Sequence, residues 1–480
     1  MKLYEQIAAD ISGQIRAGVL RAGDRIPSVR AACRSRRVSP STVLQAYALL
    51  EDNGEIRTRP RSGYFVSAHW AGPPPEPKIS KPPATPQTSN VSDLIVEIFN
   101  SVSDPNVVAF GSPFPCPEFF PLAKLAKALR VSSRRLTPQC LVANLTGGNG
   151  ELRRLLARHY LDVGFAVQPD DIIITAGALE ALNIALQVTT RRGDLVAIES
   201  PTFYACLEAI ERLGLRAVEI PTDPRTGMDL AALASALQKR PIKACWVMTN
   251  FQNPVGSLMP EDNRRELVRM LGERDIPLIE DDVYSELYFG NERPRPAKAF
   301  DKKGLVLHCS SFSKCLAPGY RLGWIAPGRY YKQVQRAKLM TSLATSVPMQ
   351  VGMVEYLKYG GYGHHLRNLR SLLAAQQKQM LRAIGSYFPP PVTVTRPAGG
   401  YFLWVSMPET VCSLKLYRAA MAKGIMIAPG CVFSPQQRYR HYMRLNYGAP
   451  WTPRLDNAMA NLGEMIGEMS GITKTRMLAA

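Results

Sequence analysis

The chain has 480 residues, of which 46% are hydrophobic and 20% are charged, a composition typical of a globular protein with two or three domains. Its formal net charge of +20 favours polyanionic partners such as nucleic acid. The chain contains no run of about 18 apolar residues and no apolar signal-peptide core, so we expect a cytoplasmic protein without a membrane span. The nine cysteines form no C-x-x-C pair, which predicts neither a disulfide framework nor a metal centre.

The first 70 residues form a small basic segment, with eleven cations against six acidic side chains. Apolar residues recur every four positions from Leu3 to Ile15 and predict an amphipathic helix. A second helix opens at Ser28. Ser39 followed by Pro40 is typical of an N-cap and the first residue of a third helix.

A basic hairpin is predicted after the third helix. Residues 55–59 and 63–66 alternate like two strands around a tip at residues 60–62. Three short helices and a basic hairpin describe a winged helix-turn-helix domain. The small hydroxyl residues that begin the third helix can bond phosphates and base edges, and Arg61 at the tip can contact phosphate or enter a minor groove.

This head resembles the DNA-binding domain of the GntR family over its whole length. The matching signatures are Gly23-Asp24-Arg25-Ile26-Pro27-Ser28-Val29-Arg30, Val38-Ser39-Pro40-Ser41-Thr42-Val43 and Gly63-Tyr64-Phe65-Val66. The resemblance implies that double-stranded DNA is contacted by Arg30, Ser39, Ser41, Thr42, Gln45, Arg61 and Gly63. The family often carries arginines early in the third helix, where this chain has Pro40 and Leu44.

Residues 71–90 contain seven prolines and almost no large apolar side chain. This composition predicts an extended polyproline II or disordered linker that reaches roughly 60 Å. We therefore predict a winged-helix head over residues 1–70, a linker over 71–90 and an effector domain over 91–480. A linker of this reach would let the head lie against a partner subunit.

From Val91 onward, short apolar strands alternate with amphipathic helices. Near-continuous apolar strands between helices predict an α/β domain with a mostly parallel sheet covered on both faces. The predicted strands are residues 172–175, 195–198, 217–220, 244–248, 277–280 and 305–307. Ligands of such sheets bind at the carboxyl ends of the strands, so the residues that follow each strand are the candidates for a site.

Side chains able to bind a ligand follow most of these strand ends. Residues 177–179 form a glycine turn into a helix, whose free N–H groups can hold a phosphate. Phe203 can stack on a flat ring, with Tyr204 as the alternative. Asn253 supplies an amide donor, and the run from Asp281 supplies a carboxylate and then a phenol at Tyr284.

The last predicted strand leads into three serines, Lys314 and Arg321. Lysine is the side chain that forms Schiff bases with carbonyl compounds. Serine hydroxyls and an arginine fork suit a phosphate. Without its context, a loop of serine, lysine and arginine is more often a solvated turn, but the spacing of S-x-S-K followed by R-x-G-W is far more specific.

That spacing resembles the cofactor-lysine segment of fold-type I pyridoxal-phosphate enzymes, the aspartate aminotransferase superfamily, and the likeness extends over residues 105–470. It implies a small C-terminal α+β part and pyridoxal 5'-phosphate as the cofactor, with Lys314 as the Schiff-base lysine. It implies cofactor binding by Gly177, Ala178, Leu179, Phe203, Asn253, Asp281, Tyr284, Ser311, Ser313 and Arg321. Arg444, beside Asn253, is implied to hold a substrate or effector carboxylate. A tyrosine that many members place near Ala143 is missing here.

The head, proline-rich linker and aminotransferase-like body together resemble the MocR subfamily of transcriptional regulators. The resemblance implies a homodimer with heads exchanged between subunits and an amino acid or related amine as effector. Two other readings stay open: a working aminotransferase with an appended DNA-binding head, and a DNA-binding protein whose body has lost its cofactor.

Overall fold

The computed structural model describes residues 2–59, 62–67, 74–83, 85–87, 95, 104, 106–143 and 145–471. The chain divides into two compact units. The smaller comprises residues 1–75, 377–392 and 451–480, and the larger comprises residues 76–376 and 393–450. Within the described ranges, no helix combines the length and the apolar character needed to cross a bilayer.

The head in the smaller unit consists of three helices and a hairpin, as predicted. The elements are α1 (Leu3–Arg16), α2 (Val29–Arg36), α3 (Pro40–Asp52), β1 (Ile56–Arg59) and β2 (Gly63–Val66). Ser28 and Ser39 accept hydrogen bonds from the backbone amides of Ala31 and Thr42, which confirms Ser39 as the N-cap of α3. The remaining described residues of this unit include a C-terminal helix, Pro453–Ser470.

Apolar side chains of α1 and α3 form the core of the head, which explains the four-residue spacing in α1. The fully buried members of this core include Ile7, Ile11, Val43, Tyr47 and Leu50. The Tyr47 hydroxyl donates to the Pro27 carbonyl at 2.6 Å, which ties α3 to the chain before α2. Residues 23–26 run antiparallel to β2 and add a third extended segment to the wing.

The larger unit is built on an eight-stranded sheet of order β4-β11-β10-β9-β8-β5-β6-β7. Its central strands are parallel, while β7 and β11 are antiparallel to their neighbours. The strands are β4 (Ile173–Thr175), β5 (Leu195–Ser200), β6 (Arg216–Asp223), β7 (Gly227–Met228), β8 (Ile242–Val247), β9 (Leu278–Asp281), β10 (Val306–Ser311) and β11 (Gly323–Ala326).

Helices alternate with the strands of the larger unit, as the sequence predicts, and the last of them packs on the smaller sheets. They are α4 (Leu122–Ser133), α5 (Pro138–Val142), α6 (Gly150–Leu161), α7 (Ala178–Thr189), α8 (Tyr204–Arg212), α9 (Leu230–Lys239), α10 (Glu261–Glu273), α11 (Tyr331–Thr341), α12 (Val347–Tyr359), α13 (Tyr362–Tyr387, which ends in the smaller unit) and α14 (Ser413–Ala422). The sheet interior is apolar and includes the buried side chains of Ala197, Cys245 and Leu278.

Two smaller sheets complete the larger unit and confirm its α+β part. The strands β12 (Thr393–Val394), β13 (Phe402–Ser406), β15 (Ala428–Pro429) and β16 (Tyr442–Asn446) form an antiparallel sheet of order β12-β13-β16-β15. The strands β3 (Val108–Ala109) and β14 (Ile425–Met426) pair in parallel. Arg444 stands on β16, directly opposite Trp404 on β13.

Strand β10 is longer than predicted, because it continues through Ser310 and Ser311. Both serines pair with β11, at Trp324 and Gly323, so the backbone keeps its ladder after the apolar run ends. The Ser310 hydroxyl also donates to the Asp282 carbonyl at 2.8 Å. Hydrophobic periodicity ends at the last apolar residue and therefore misses a strand end that is polar.

The described part of the predicted linker lies along the larger unit. The amide of Ser80 donates to the Thr222 carbonyl at 3.3 Å, and Gln87 pairs with Ala217 on β6 through hydrogen bonds in both directions. The Ser80 hydroxyl donates to the carbonyl of Ser200 at the end of β5. Pro77 is buried. These bonds place Ser80 at the carboxyl ends of β5 and β6 and Gln87 beside the amino end of β6.

Candidate functional site

Lys314 follows β10 at the carboxyl ends of the parallel strands, and the region around its amine, between Phe114, Tyr284 and Arg444, is referred to as the cleft. Its Nζ donates to the Pro113 carbonyl at 2.9 Å and lies 4.2 Å from the centroid of the Phe114 ring. Burial lowers the pKa of the Lys314 amine to about 7, and the positive charge of Arg444 acts in the same direction. A large share of this amine is therefore neutral at pH 7 and able to act as a nucleophile.

Asp281 ends β9 and faces the same cleft. Its side chain is buried, and its Oδ1 atom has no hydrogen-bond partner. Burial raises the pKa of the Asp281 carboxyl to about 7, against the opposing effect of the Lys314 charge. A buried carboxylate oxygen of this kind requires a hydrogen-bond donor, and a protonated ring nitrogen of a ligand would supply one.

A buried polar network lies behind Asp281. His308 on β10 shares hydrogen bonds with Asp282 at 3.0 Å and with the Tyr160 hydroxyl at 2.8 Å. Asn250 donates to the other oxygen of Asp282 at 2.7 Å. These hydrogen bonds fix the end of β9, which carries Asp281. The sequence analysis did not predict them.

Asn253 and Arg444 form a unit on the other side of the cleft. Arg444 Nη1 donates to Asn253 Oδ1 at 2.9 Å, and Nη2 donates to the Gly111 carbonyl at 2.7 Å. Both side chains are fully buried, while Asn253 Nδ2 and Arg444 Nε have no partner. Among the described residues, no carboxylate forms an ion pair with Arg444, so a buried cation faces the cleft without a counter-ion.

The predicted phosphate turn lies beside the lysine segment. Gly177 is the N-cap of α7 and has φ +85°, and the helix start has no side-chain cap. Arg321 Nη2 donates to the Ala176 carbonyl at 2.8 Å and lies so close that a Cβ on Gly177 would approach it to 2.6 Å. The amides of Ala178 and Leu179 at this uncapped start are available for an anion.

The two serines of the lysine segment line the same corner. Ser311 Oγ accepts a hydrogen bond from the amide of Ser313, while Ser313 Oγ is buried without a partner. The predicted phosphate ligands therefore come from three adjacent strands: the glycine turn follows β4, Arg321 precedes β11, and the two serines lie at the end of β10.

The aromatic residues divide between two positions. Tyr284 is buried, and its ring lies 5.9 Å from Lys314 Nζ and 5.5 Å from the ring of Tyr401. Phe203 is half-buried and packs on Tyr204, with ring centroids 4.7 Å apart. Because the two rings pack on each other, Phe203 as the ring that stacks on the ligand, with Tyr204 as the alternative, stays a prediction.

The described residues of the cleft fit pyridoxal phosphate. Three buried polar atoms around Lys314 have no protein partner, namely Asn253 Nδ2, Asp281 Oδ1 and Ser313 Oγ. They supply a donor, an acceptor and a hydroxyl, which match a phenolate oxygen, a protonated ring nitrogen and a phosphate. Buried polar groups rarely lack a hydrogen-bond partner, so these three atoms indicate a ligand that forms hydrogen bonds with them.

The segment before α4 contributes backbone groups that the sequence reading did not assign. The Pro113 carbonyl accepts from both Lys314 Nζ and the Tyr401 hydroxyl, and the Gly111 carbonyl accepts from Arg444. Carbonyl oxygens have no signature in a sequence. The only available signal was the turn-rich run Gly111–Pro117, which contains one glycine and three prolines.

The head presents the predicted DNA-contact residues of α2 and α3 on its surface. Arg30, Ser39, Ser41 and Gln45 are exposed. The Ser39 hydroxyl lies 2.8 Å from the hydroxyls of Ser41 and Thr42, so the three form a polar cluster at the start of α3. Gly63 begins β2 as predicted, and Arg61 lies outside the described residues.

The fold and the cleft together define a protein of the fold-type I pyridoxal-phosphate class with a winged-helix head. Residues 119–461 match the family model of aminotransferase class I and II, and residues 3–66 match that of the bacterial regulatory proteins of the gntR family. The chain belongs to these families: it is a GntR-type transcriptional regulator of the MocR type fused to an aminotransferase-like domain. The class I and II family implies pyridoxal 5'-phosphate as its cofactor.

Similar proteins share both parts or the body alone. An uncharacterized HTH-type transcriptional regulator of Escherichia coli, YdcR, is 44% identical over 98% of this chain and 100% of its own length. A multiple substrate aminotransferase from Thermococcus profundus superposes with a TM-score of 0.73 at 28% identity, covering 80% of this chain and 96% of its own. The α-aminoadipate aminotransferase LysN from Thermus thermophilus, solved with N-(5'-phosphopyridoxyl)-L-leucine, has a TM-score of 0.69 at 27% identity, covering 81% and 99%.

Proposed function

We propose that this regulator senses pyridoxal phosphate, or an amino compound that reacts with it, at the cleft around Lys314 and adjusts its DNA binding accordingly. The observation that carries this proposal is the set of buried, unpartnered groups around Lys314 in a chain that begins with a winged-helix head. When bound, the cofactor supplies a carbonyl carbon that amines attack and a ring that accepts electrons.

Lys314 would hold the cofactor and release it to a competing amine. Its amine is suited to this role because its lowered pKa, about 7, leaves a substantial fraction of it neutral at physiological pH. The Pro113 carbonyl accepts a hydrogen bond from the Lys314 amine, with 2.9 Å between Nζ and the oxygen, and so restricts its position. Any amine that takes its place frees the Lys314 amine and changes the charge inside the cleft.

Arg444 would select amines that carry a carboxylate. Its guanidinium is buried between the rings of Phe402, at 4.1 Å, and Phe433, at 5.2 Å, and Asn253 orients it from the side. A planar fork in an apolar surrounding binds a carboxylate with two hydrogen bonds. We therefore expect an amino acid, or a related carboxylated amine, as effector.

A homodimer is part of the proposal. The larger unit exposes large apolar side chains on α5 and at the end of α11, including Val142, Met340 and Leu343 at 71%, 72% and 47% exposure. Highly exposed apolar side chains of this kind support a face that a partner covers. We infer a second copy of the chain as that partner, with the heads exchanged through the linkers and the protein in the cytoplasm.

Sensing requires that the effector bind two states of the protein with different affinity, since equal affinity shifts no equilibrium. The test uses full-length protein and a duplex that the wild type selects from random DNA. Adding pyridoxal phosphate and a panel of amino acids should change the wild-type affinity for this duplex, whereas Lys314→Ala should show no change.

Lys332→Ala is the matched control, because Lys332 is an exposed lysine of α11 outside the cleft. It should respond to cofactor and amino acid as the wild type does. If Lys314→Ala responds equally well, sensing through the amine of Lys314 is wrong.

A working aminotransferase is the alternative, and the intact arrangement of Lys314, Asp281 and Arg444 favours it. The two functions separate in a single-turnover experiment on the cofactor-loaded protein. Rapid conversion of the bound cofactor to its pyridoxamine form by many amino acids supports an enzyme. A spectral change that stops before this conversion, and is coupled to DNA affinity, supports a sensor.

A further inference from the structure

A second pocket, of about 520 Å³, lies in the larger unit between the linker and the small antiparallel sheet. One wall is the linker segment 77–81, and the opposite wall is the loop 436–442 that leads into β16. Its base includes Pro201 and Val255. The pocket shares no lining residue with the cofactor-binding set around Lys314.

The charged groups that line this pocket are all cationic. They are Lys78 and Lys81 from the linker, and Arg438 and Arg440 from the loop. In the part of the chain that the structure describes, no aspartate or glutamate lines the pocket, and Lys78, Lys81 and Arg440 form no ion pair. Four cations line the pocket and no carboxylate does, so the lining produces a positive potential that attracts an anion.

Aromatic rings form the wall beside these cations. The rings of Trp404 and Tyr442 are stacked, with centroids 5.3 Å apart and an interplanar angle of 14°. Tyr439 meets both edge-on, at 5.9 Å and 5.7 Å. Burial lowers the pKa of the neighbouring His441, so this ring is neutral at pH 7 and offers a hydrogen-bonding group without charge.

The two walls are joined by hydrogen bonds at their base. Ser80 donates to the Ser200 carbonyl, and the Ser200 hydroxyl lies 2.8 Å from the Tyr439 hydroxyl and 2.6 Å from Glu219 Oε1. Arg438 Nη2 donates to the Lys81 carbonyl at 3.2 Å. The pocket is thus a built cavity whose shape depends on the linker lying in this position.

We propose that this pocket is a second ligand site, which binds a small organic anion that carries a phosphate or carboxylate group beside a flat ring. The four cations hold the anionic group, and the aromatic wall receives the ring. Because the linker supplies one wall, the ligand binds only the state in which the linker lies on the larger unit. It therefore stabilises that state in proportion to its occupancy.

The test is calorimetric titration of the cofactor-loaded full-length chain with phenyl phosphate, and in parallel with benzoate. At least one probe should bind while the absorbance of the bound cofactor stays constant. Loss of one charge-assisted contact is worth about 1.5–3 kcal/mol, so Arg440→Ala should weaken binding by about tenfold or more. Lys81→Ala should have a similar effect from the linker side.

Lys415→Ala is the matched control, since Lys415 is an exposed cation of α14 outside the pocket. It should bind the probes as the wild type does, and circular dichroism should show that all variants are folded. Failure of both probes to bind, or equal affinity of Arg440→Ala and Lys415→Ala, would overturn the proposal. A change of the cofactor spectrum on binding would do the same, because it would place the probe in the Lys314 cleft.

A second readout follows the linker itself. The Lys78–Ile79 bond is a trypsin site with both side chains exposed. Saturating phenyl phosphate or benzoate, whichever binds, should slow cleavage after Lys78 in the wild type and in Lys415→Ala, but not in Arg440→Ala. Cleavage at an unchanged rate in the wild type with bound probe would contradict the part of the proposal that concerns the linker.

Discussion

The guanidinium of Arg444 donates to the side-chain oxygen of Asn253 at 2.9 Å, so two residues 191 positions apart act as one unit. This bond fixes the orientation of the Asn253 amide: its oxygen faces Arg444 and its Nδ2 faces the cleft without a partner. The residue predicted to contact the cofactor and the residue predicted to hold the carboxylate therefore cannot move independently. A movement of Arg444 on effector binding would therefore also move the Asn253 amide, which is predicted to contact the cofactor.

Arg444→Lys should weaken the binding of amino acids about tenfold to hundredfold, because lysine cannot form the bidentate contact that a buried guanidinium offers. The measurement is titration of the bound-cofactor absorbance with an amino acid. The same titration with the corresponding amine that lacks a carboxylate should be unaffected by the substitution. An equal loss of affinity for both ligands would show that Arg444 stabilises the cleft but does not bind the carboxylate.

Asp281→Asn should lower the affinity for pyridoxal phosphate about tenfold to hundredfold, because a hydrogen bond to a charged partner is replaced by a neutral one. The fluorescence of the protein during cofactor titration measures this affinity. Asp162→Asn, which alters an exposed carboxylate, is the control and should bind the cofactor normally.

Asp281→Asn should also alter the pH dependence of stability in the cofactor-free protein. Burial raises the pKa of Asp281 to about 7, so the unfolded chain loses its proton near pH 4 while the folded chain keeps it. The contribution of Asp281 to wild-type stability therefore falls as pH rises from about 4 to 7, and asparagine removes this loss. The melting temperature of Asp281→Asn relative to wild type should rise over that interval. A constant difference would mean that the Asp281 carboxyl has the same pKa in the folded and the unfolded chain.

Gly177→Ala should reduce the affinity for pyridoxal phosphate at least about tenfold, since its Cβ would approach Arg321 Nη2 to 2.6 Å and displace it from the phosphate turn. Gly193→Ala is a close control. Gly193 has φ +90°, against +85° for Gly177, but no atom within 4 Å of the added Cβ. Both variants carry similar backbone strain, so equal cofactor affinities would exclude a role for the Gly177–Arg321 contact.

Arg30→Ala should decrease the salt dependence of DNA binding, because each phosphate contact contributes about −0.9 to the slope of log K against log salt. Arg36→Ala is the matched comparison, since the Arg36 guanidinium is already paired with Asp10 at 2.7 Å. Filter binding between about 50 and 200 mM salt gives both slopes. If the two variants change the slope equally, Arg30 has no special place on the DNA face.

Features that depend on residues close together in the chain, such as helix starts, could be predicted from the sequence. Ser39 followed by Pro40 predicts the start of α3 because an N-cap bonds an amide only three residues away. The glycine at 177 predicts an anion-binding helix start for the same reason. The strand end at Ser310 and Ser311 escaped prediction, because its pairing with β11 is made by the backbone and leaves no apolar pattern.

By itself the sequence determined which chemical groups this protein has: a basic head, a lysine between phosphate ligands, a carboxylate and an arginine. Only the tertiary structure decided their partners. Pro113 meets Lys314 across 201 positions and Gly111 meets Arg444 across 333, and both acceptors are backbone carbonyls that every residue possesses. The position of the proline-rich linker beside β5 was decided in the same way. It depends on hydrogen bonds from Ser80 that no local pattern in the linker specifies.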